Sequence, residues 1–377
     1  MKVTIAIDSF KGSISSLEAG ESAKAGVLKV FPNAEIVVKP IADGGEGTID
    51  ALTSGMGGKI NTLMVKNPLG ELVLAEYGEV GDIAIIESAK ACGITLIKKE
   101  QLNPMLTTTY GVGEIIKDAI SKGLRKFIIG IGGSATNDCG IGMLSALGVK
   151  FLDKNGKEVC YGAKALKEIV KIDVSGMIKE LNECKFYIAC DVNNPLCGER
   201  GASNVYAKQK GASPEDIILM DEYMNSFADL TKTVYPTADK NAKGAGAAGG
   251  LGFAFMVYLN ATLKSGIDLV LSETGLEDCI KDSNLVITGE GRIDEQTIMG
   301  KAPVGVARIA KKYGVPVVAF AGSVADGANV CNEHGIDGVF GILNSVTTLE
   351  DAMQKERAKF NLKFTVEQVI RAIKIKI

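Results

Sequence analysis

The segment Lys2–Thr48 reads KVTIAIDSFKGSISSLEAGESAKAGVLKVFPNAEIVVKPIADGGEGT. Lys2–Ile7 is β-branched and apolar at alternate positions, the pattern of a strand. Asp8-Ser9-Phe10-Lys11-Gly12-Ser13 is its exit loop. Ser15 or Ser16 then caps a helix running to about Phe31, and Glu18, three residues after Ser15, completes a capping box. Glu35–Lys39 is a second strand, and Ile41–Thr48 leads from it into another helix. Two β-loop-α units so close together predict a parallel, doubly wound sheet. The same rhythm returns near the other end of the chain. Strands at Leu285–Thr288, Val315–Phe320 and Gly338–Ile342 alternate with helices at Lys301–Tyr313, Asp326–Glu333 and Thr365–Lys374.

The region between follows a different pattern. Ile60–Gly78 alternates polar and apolar residues around Asn67-Pro68-Leu69-Gly70, which predicts a β-hairpin. A strand at Ile83–Glu87, a helix at Tyr110–Lys122, a strand at Lys126–Gly130, a helix at Gly140–Leu147, a hairpin at Val149–Val159 and a strand at Lys185–Cys190 follow. The simplest layout is a discontinuous α/β domain, residues 1–66 plus 287–377, interrupted by a mixed α/β domain at 67–286, with the active-site cleft between them. A chain of 377 residues is long enough for two cores.

Composition excludes several classes. A formal charge of −3 leaves no electrostatic footprint for nucleic acid or an anionic membrane. The eight cysteines include no C-x-x-C pair, so zinc knuckles, iron–sulfur clusters and thioredoxin-like motifs are poor fits. No signal-peptide core and no membrane-length apolar run is present, and the chain reads as cytoplasmic. The single histidine, His334, sits at a helix end, so a Ser-His-Asp triad would depend on that one residue and a His-rich metal site is ruled out. Phosphoryl transfer fits what remains, because it needs carboxylates, a cation and amide cradles more than imidazole. The 45 glycines, well above the usual ~7 % of a chain, suit close backbone approaches to phosphate.

Ligands of open α/β sheets collect beyond the carboxyl ends of strands. Those exits present Asp8, Ser9, Lys11 and Ser13; then Asp43, Gly44, Gly45, Glu46 and Thr48; then Gly132-Gly133-Ser134-Ala135-Thr136-Asn137-Asp138. Later exits present Asp191-Val192-Asn193-Asn194-Pro195 and Gly289-Glu290-Gly291-Arg292-Ile293-Asp294. Helix caps and tight turns use the same residue types, so Asp8, Ser13, Asp43 and Thr48 each have a structural reading as well. Asp191 stands apart, because Pro195 prevents an easy helix after it. No G-x-x-x-x-G-K-[ST] occurs, which excludes a Walker-type ATPase. Gly244–Gly249 satisfies G-x-G-x-x-G but follows no strand, so a dinucleotide site is rejected. Two readings of Gly244–Gly252 stay open: close packing of a helix start, or amides that reach a phosphate.

Taken together and in this order, these blocks resemble the class I glycerate kinase family. The stretches that carry the resemblance are Asp8–Ser13, Ala42–Thr48, Gly132–Asp138, Cys190–Leu196, Gly244–Gly252, Thr288–Asp294 and Gly300–Ala307. It spans essentially the whole chain, with Cys139 and Ala245 as small departures and the segment after about Val346 as the loosest part. The resemblance implies a flavodoxin-like doubly wound domain with an inserted mixed α/β domain, and an ATP- and Mg²⁺-dependent kinase of D-glycerate whose expected product is 2-phosphoglycerate, with 3-phosphoglycerate left open as the alternative. On that basis Asp191 is the expected base, Lys11 the cation on the transferred group and Arg292 the partner of the substrate carboxylate. Asp8, Asp43, Glu290 and Asp294 form the Mg²⁺ pool. Ser9, Ser13, Gly44, Gly45, Thr48, Gly133, Ser134, Thr136, Asn137 and Asn193 are expected to hold phosphate or glycerate oxygens. A monomer or homodimer binding only small molecules is expected; a kinase of a related sugar acid and a non-catalytic metabolite sensor are the alternatives.

Overall fold

The computed structural model describes residues 1–43 and 47–374, so Gly44, Gly45 and Glu46 lie outside the described residues. Its strands are β1 (Lys2–Ile7), β2 (Glu35–Val38), β3 (Lys59–Lys66), β4 (Leu72–Val80), β5 (Ile83–Glu87), β6 (Lys126–Gly130) and β7 (Lys150–Leu152). They continue with β8 (Lys171–Asp173), β9 (Lys185–Ala189), β10 (Thr262–Lys264), β11 (Leu285–Ile293), β12 (Val317–Val324) and β13 (Gly338–Gly341). The chain divides into two units: Met1–Asp43, Asp50–Gly57 and Gly266–Ile377 form the first, and Gly44–Ile49 with Gly58–Ser265 the second.

In the first unit the sheet order is β13-β12-β11-β1-β2 and every pairing is parallel. Numbered within the unit, that is the 2-1-3-4-5 order of flavodoxin-like sheets, whose ligands sit where the order reverses, between β1 and β11. Alternation along β1 supplies both faces. Val3, Ile5 and Ile7 pack with Ala19, Ala23 and Val27 and with Leu362 and Val366 of the helix Lys355–Lys374. Thr4 faces the other way and its hydroxyl bonds to Ser283 Oγ at 2.8 Å and to the Cys279 carbonyl. The helix Ser16–Val30 starts as expected: Ser15 accepts from the Glu18 amide and Glu18 reaches back to the Ser15 amide. A Cβ on Gly26 would lie 2.6 Å from the Lys363 carbonyl, so that helix meets Lys355–Lys374 at a distance only glycine permits.

The second unit holds a mixed sheet, β10-β9-β6-β5-β4-β3. β3, β4 and β5 pair antiparallel, and β5, β6, β9 and β10 parallel. Phe127 stacks on Phe186 at 4.7 Å between centroids, at the centre of a core that includes Phe255, Ile115 and Met143. The helix Pro214–Thr231 opens with a Ser213/Asp216 capping box and Pro214 in its first turn, a start signal not used in the sequence reading.

Several expectations need correction. The boundary placed at residues 66 and 287 falls earlier at both ends, near 58 and 265. β3 belongs to the second sheet because Lys59–Lys66 pairs residue for residue with Leu72–Glu79. The helices Gly266–Glu273 and Leu276–Ile280 belong to the first unit; Ile267 and Leu271 side chains lie where a Cβ on Gly305 of the helix Ala302–Lys312 would point. β11 runs to Ile293 instead of stopping at Thr288, since β12 extends alongside it as far as Val324. The hairpin at Val149–Val159 shrinks to one bridge, Leu152 to Glu158, and β7 takes β8 as its partner.

Candidate active site

In the first unit, β1 ends at the reversal point of the sheet, and Asp8 follows with its amide still bonded to the Gly289 carbonyl of β11 at 2.9 Å. Asp8 is 3 % exposed. Burial, and then the nearby charges of Asp43 and Glu290, push its carboxyl up to about 7, against the opposing pull of the Ser9 amide and Lys11. The Ser9 amide donates to Asp8 Oδ1 at 2.6 Å. Phe10 and Ile14 bridge across a tight turn in which Gly12 takes φ +76°, and this turn carries Lys11 outward. Lys11 Nζ lies 3.3 Å from Asp43 Oδ2. Burial works against the Lys11 ammonium, but Asp43 and Asp8 outweigh it and hold the amine above its ordinary value.

Because β11 is long, Glu290 and Arg292 stand on one strand two residues apart and share a face. Glu290 is buried, accepts from Thr297 Oγ1 at 2.7 Å and has Lys301 Nζ at 3.9 Å. Burial raises its carboxyl despite those two partners. Asp294 caps the turn Glu295–Met299, accepting from the Gln296 amide, and pairs with Lys301 at 3.4 Å and Arg292 at 3.3 Å. Its partial burial raises its carboxyl, yet Lys301 and the capping bond leave it below the usual range. Asp8, Lys11, Glu290, Arg292 and Lys301 line a cavity of about 620 Å³, together with Leu349 and Met353. Ser9, Ser13 and Asp43 also line it, and Ser13 Oγ is buried with no hydrogen-bond partner.

In the second unit, β6 runs into the Gly132–Asp138 loop. Gly133 takes φ +74°, and Gly132 and Gly133 are exposed while Ser134 through Asp138 are buried. Thr136 and Asn137, read from sequence as ligand holders, have enclosed side chains. Asn137 Nδ2 donates to Ser203 Oγ at 2.9 Å and to Met220 Sδ at 3.3 Å, whereas Thr136 Oγ1 has no partner. Asp138 accepts from the Thr109 amide and hydroxyl and from the Gly140 and Gly142 amides, so it ties the loop to the next helix. The glycine run behind it is a packing device. Ala248, Gly249 and Gly250 all have left-handed backbones, and a Cβ on Gly249 would strike the Thr136 carbonyl and lie 2.6 Å from Asn137 Cα. Of the two readings left open, the structure shows close packing.

After β9, Asp191 and Asn193 are exposed on a loop held by Asn194, which accepts from Tyr206 Oη at 2.6 Å and donates to the Arg200 carbonyl at 2.8 Å. Thr48 is buried at the start of the helix Thr48–Gly55. The sequence reading missed four groups. Glu87 closes the apolar strand β5 and accepts from the Ile49 amide at 2.9 Å. Its signal was available: a lone carboxylate at the end of Ile83–Glu87. Lys301 and Thr297 had none beyond their neighbourhood, and Lys210, within Lys208-Gln209-Lys210, looks like any solvated lysine although it is 2 % exposed.

The donor set of the first unit suits Mg²⁺ bound together with phosphate. Asp43 and Glu290 raise the carboxyl of Asp8, and Asp43 raises that of Glu290, by like-charge repulsion, which a divalent cation would relieve. Among the described residues no three His, Cys, Asp or Glu side chains converge into a closed cage. Mg²⁺ needs none, because it takes one or two carboxylates and completes its shell with phosphate and water. No helix among the described residues is long and apolar enough to cross a membrane.

Comparison with known proteins agrees with this chemistry. A family model described as the glycerate kinase family matches residues 3–374. Glycerate kinase of Bacillus subtilis strain 168 is 46 % identical over 100 % of this chain and 98 % of its own length. Glycerate 2-kinase of Escherichia coli K12 is 46 % identical over 94 % of this chain and 93 % of its own. A crystal structure of a Salmonella typhimurium LT2 protein designated glycerate kinase 2 superposes with a TM-score of 0.93, at 42 % identity, covering 100 % of this chain and 99 % of that one. With a flavodoxin-like sheet, a carboxylate and lysine cluster at its reversal point and relatives of this similarity along its full length, the chain belongs to the glycerate kinase family and is a kinase.

Proposed function

We propose that the protein transfers the γ-phosphoryl group of ATP, with Mg²⁺, to the 2-hydroxyl of D-glycerate. The observation that carries this reading is the concentration of Asp8, Lys11, Glu290, Arg292 and Lys301 around one cavity at the reversal point of the sheet. The name of the Escherichia coli relative, a glycerate 2-kinase, supports the choice of hydroxyl.

Asp191, exposed on its loop, takes the proton of the attacking hydroxyl as the new oxygen–phosphorus bond forms and the bond to the ADP leaving oxygen breaks. Lys11, held in its charged form by Asp43 and Asp8, compensates charge on the transferred group. Arg292 offers a planar fork to the substrate carboxylate, exchanging its bond to Asp294 for a second acid of the same geometry. One or two of Asp8, Asp43 and Glu290 would hold Mg²⁺, while Asp294 is already committed to its cap and to Lys301. When bound, the ion neutralises phosphoryl oxygens and lowers the cost of gathering them.

The test is ADP release from Mg-ATP with D-glycerate, L-glycerate and longer sugar acids, with the product assigned by ³¹P NMR. Turnover of D-glycerate to the 2-phosphate is expected; the 3-phosphate, or a preference for a longer acid, would overturn the assignment. Asp191→Asn should lower kcat by roughly 10²–10⁴ with the circular dichroism spectrum unchanged. Near-normal turnover would remove Asp191 from the role of base.

A further inference from the structure

Lys210 is a lysine ammonium 2 % exposed, inside the second unit, with no carboxylate bonded to it among the described residues. Its Nζ donates to Ser134 Oγ at 2.9 Å and to the Thr136 carbonyl at 2.6 Å. The nearest buried acid in charge terms is Asp138, whose oxygens are taken up by Thr109, Gly140 and Gly142. Burial, opposed by Cys92 and Asp138, pushes the ammonium down to about 8. An isolated buried charge is costly and is kept only where something repays it.

The loop in front of Lys210 shows what does. Because Ser134 Oγ accepts from Lys210, its own proton must point elsewhere, and among the described residues no acceptor receives it. The amides of Gly132 and Gly133, on the exposed tip of the same loop, have no carbonyl partner within the chain among the described residues. Two open amides, a hydroxyl forced to donate and a cation behind them make a receptacle for an anionic oxygen.

We propose that Lys210 is a positioning residue that turns the Gly132–Ser134 loop into a carboxylate- or phosphoryl-binding site, by fixing Ser134 as a donor and supplying the site's positive potential. The proposal rests on the kinase reading for the identity of the anion, which is either the carboxylate of the three-carbon acid or a phosphoryl oxygen of the nucleotide.

The experiment compares wild type, Lys210→Gln, Ser134→Ala and the double variant. Lys210→Gln keeps donors for Ser134 and Thr136 while losing the charge, and Ser134→Ala keeps the test open if the lysine variant folds poorly. D-glycerate and Mg-ADP are titrated separately by calorimetry, and KM for D-glycerate and for ATP is measured beside kcat. We expect either single variant to weaken one ligand by ten- to a hundredfold and to leave the other within twofold. Loss confined to D-glycerate assigns the carboxylate; loss confined to the nucleotide assigns the phosphoryl oxygen. The double variant should be no worse than the weaker single one, since Lys210 acts through Ser134. Unchanged affinities with a lowered melting temperature would make Lys210 purely structural and overturn the proposal, as would multiplicative losses in the double variant. A wild type that binds neither titrant would overturn the kinase reading and this one together, whereas normal wild-type binding retained by Lys210→Gln sinks this one alone.

Discussion

Asp8→Asn should make the protein more stable at pH 8 while leaving it nearly as stable as wild type near pH 3. Asp8 is buried, and its carboxyl titrates at about 7 in the fold against 3.8 when unperturbed. A folded-state pKa above the unfolded one means that the native state binds the extra proton between those values. Stability therefore falls as pH rises from about 4, and the loss is complete above about 7. A little over three units at ~1.36 kcal/mol each gives about 4 kcal/mol at pH 8, the ceiling of what Asn can recover. For a domain of this size, each kcal/mol moves the melting temperature by roughly 2–4 °C, so the variant should gain up to about 8–16 °C at pH 8. Asn retains an acceptor for the Ser9 amide, so no other bond is lost. The assay is thermal unfolding of both proteins in EDTA from pH 3 to 8, with turnover measured in parallel. In the proposed chemistry the stabilised variant loses activity, the usual cost of a site built by gathering like charges. An equal gain at pH 3 and pH 8, or a loss at pH 8, would refute the argument that burial and neighbouring carboxylates load this residue.

Two further predictions concern the scaffold of the second unit. Asp138→Ala strands the Thr109, Gly140 and Gly142 donors in the interior and should cost at least ~3 kcal/mol in urea unfolding; a cost below about 1 kcal/mol would show that water replaces the carboxylate. Gly249→Ala forces a side chain into a left-handed position against Asn137 and should destabilise by about 2 kcal/mol or more, whereas wild-type stability would contradict the packing role of the glycine run.

The local signals in the chain were strong where the interaction is local. Ser15 and Glu18 sit three residues apart and cap the helix Ser16–Val30 as read. The turn at Asn67–Gly70 joins β3 and β4 as read, because Asn67 Oδ1 accepts from the Leu69 and Glu71 amides within the same loop. Carboxylates beside a hydroxyl or glycine at strand exits singled out Asp8 and Glu290 in the sequence, and both line the same cavity.

Long-range pairing settled the rest. Whether β3 joins the first sheet or the second depends on Leu72–Glu79 lying beside it, and β11 continues through Glu290 and Arg292 only because β12 extends to meet it. Five apolar strands in chain order do not say that β1 stands between β2 and β11, yet that order puts Asp8 beside Glu290. Burial is likewise a property of the assembled fold. Lys208 and Lys210 are chemically identical in the sequence, and packing alone encloses Lys210 behind Ser134 while leaving Lys208 in solvent. Propensity, capping and turn chemistry act over a few residues and are written in the chain, whereas the charge state of Asp8 and the partners of Lys210 arise from residues tens to hundreds of positions away, brought close only when the sheets close.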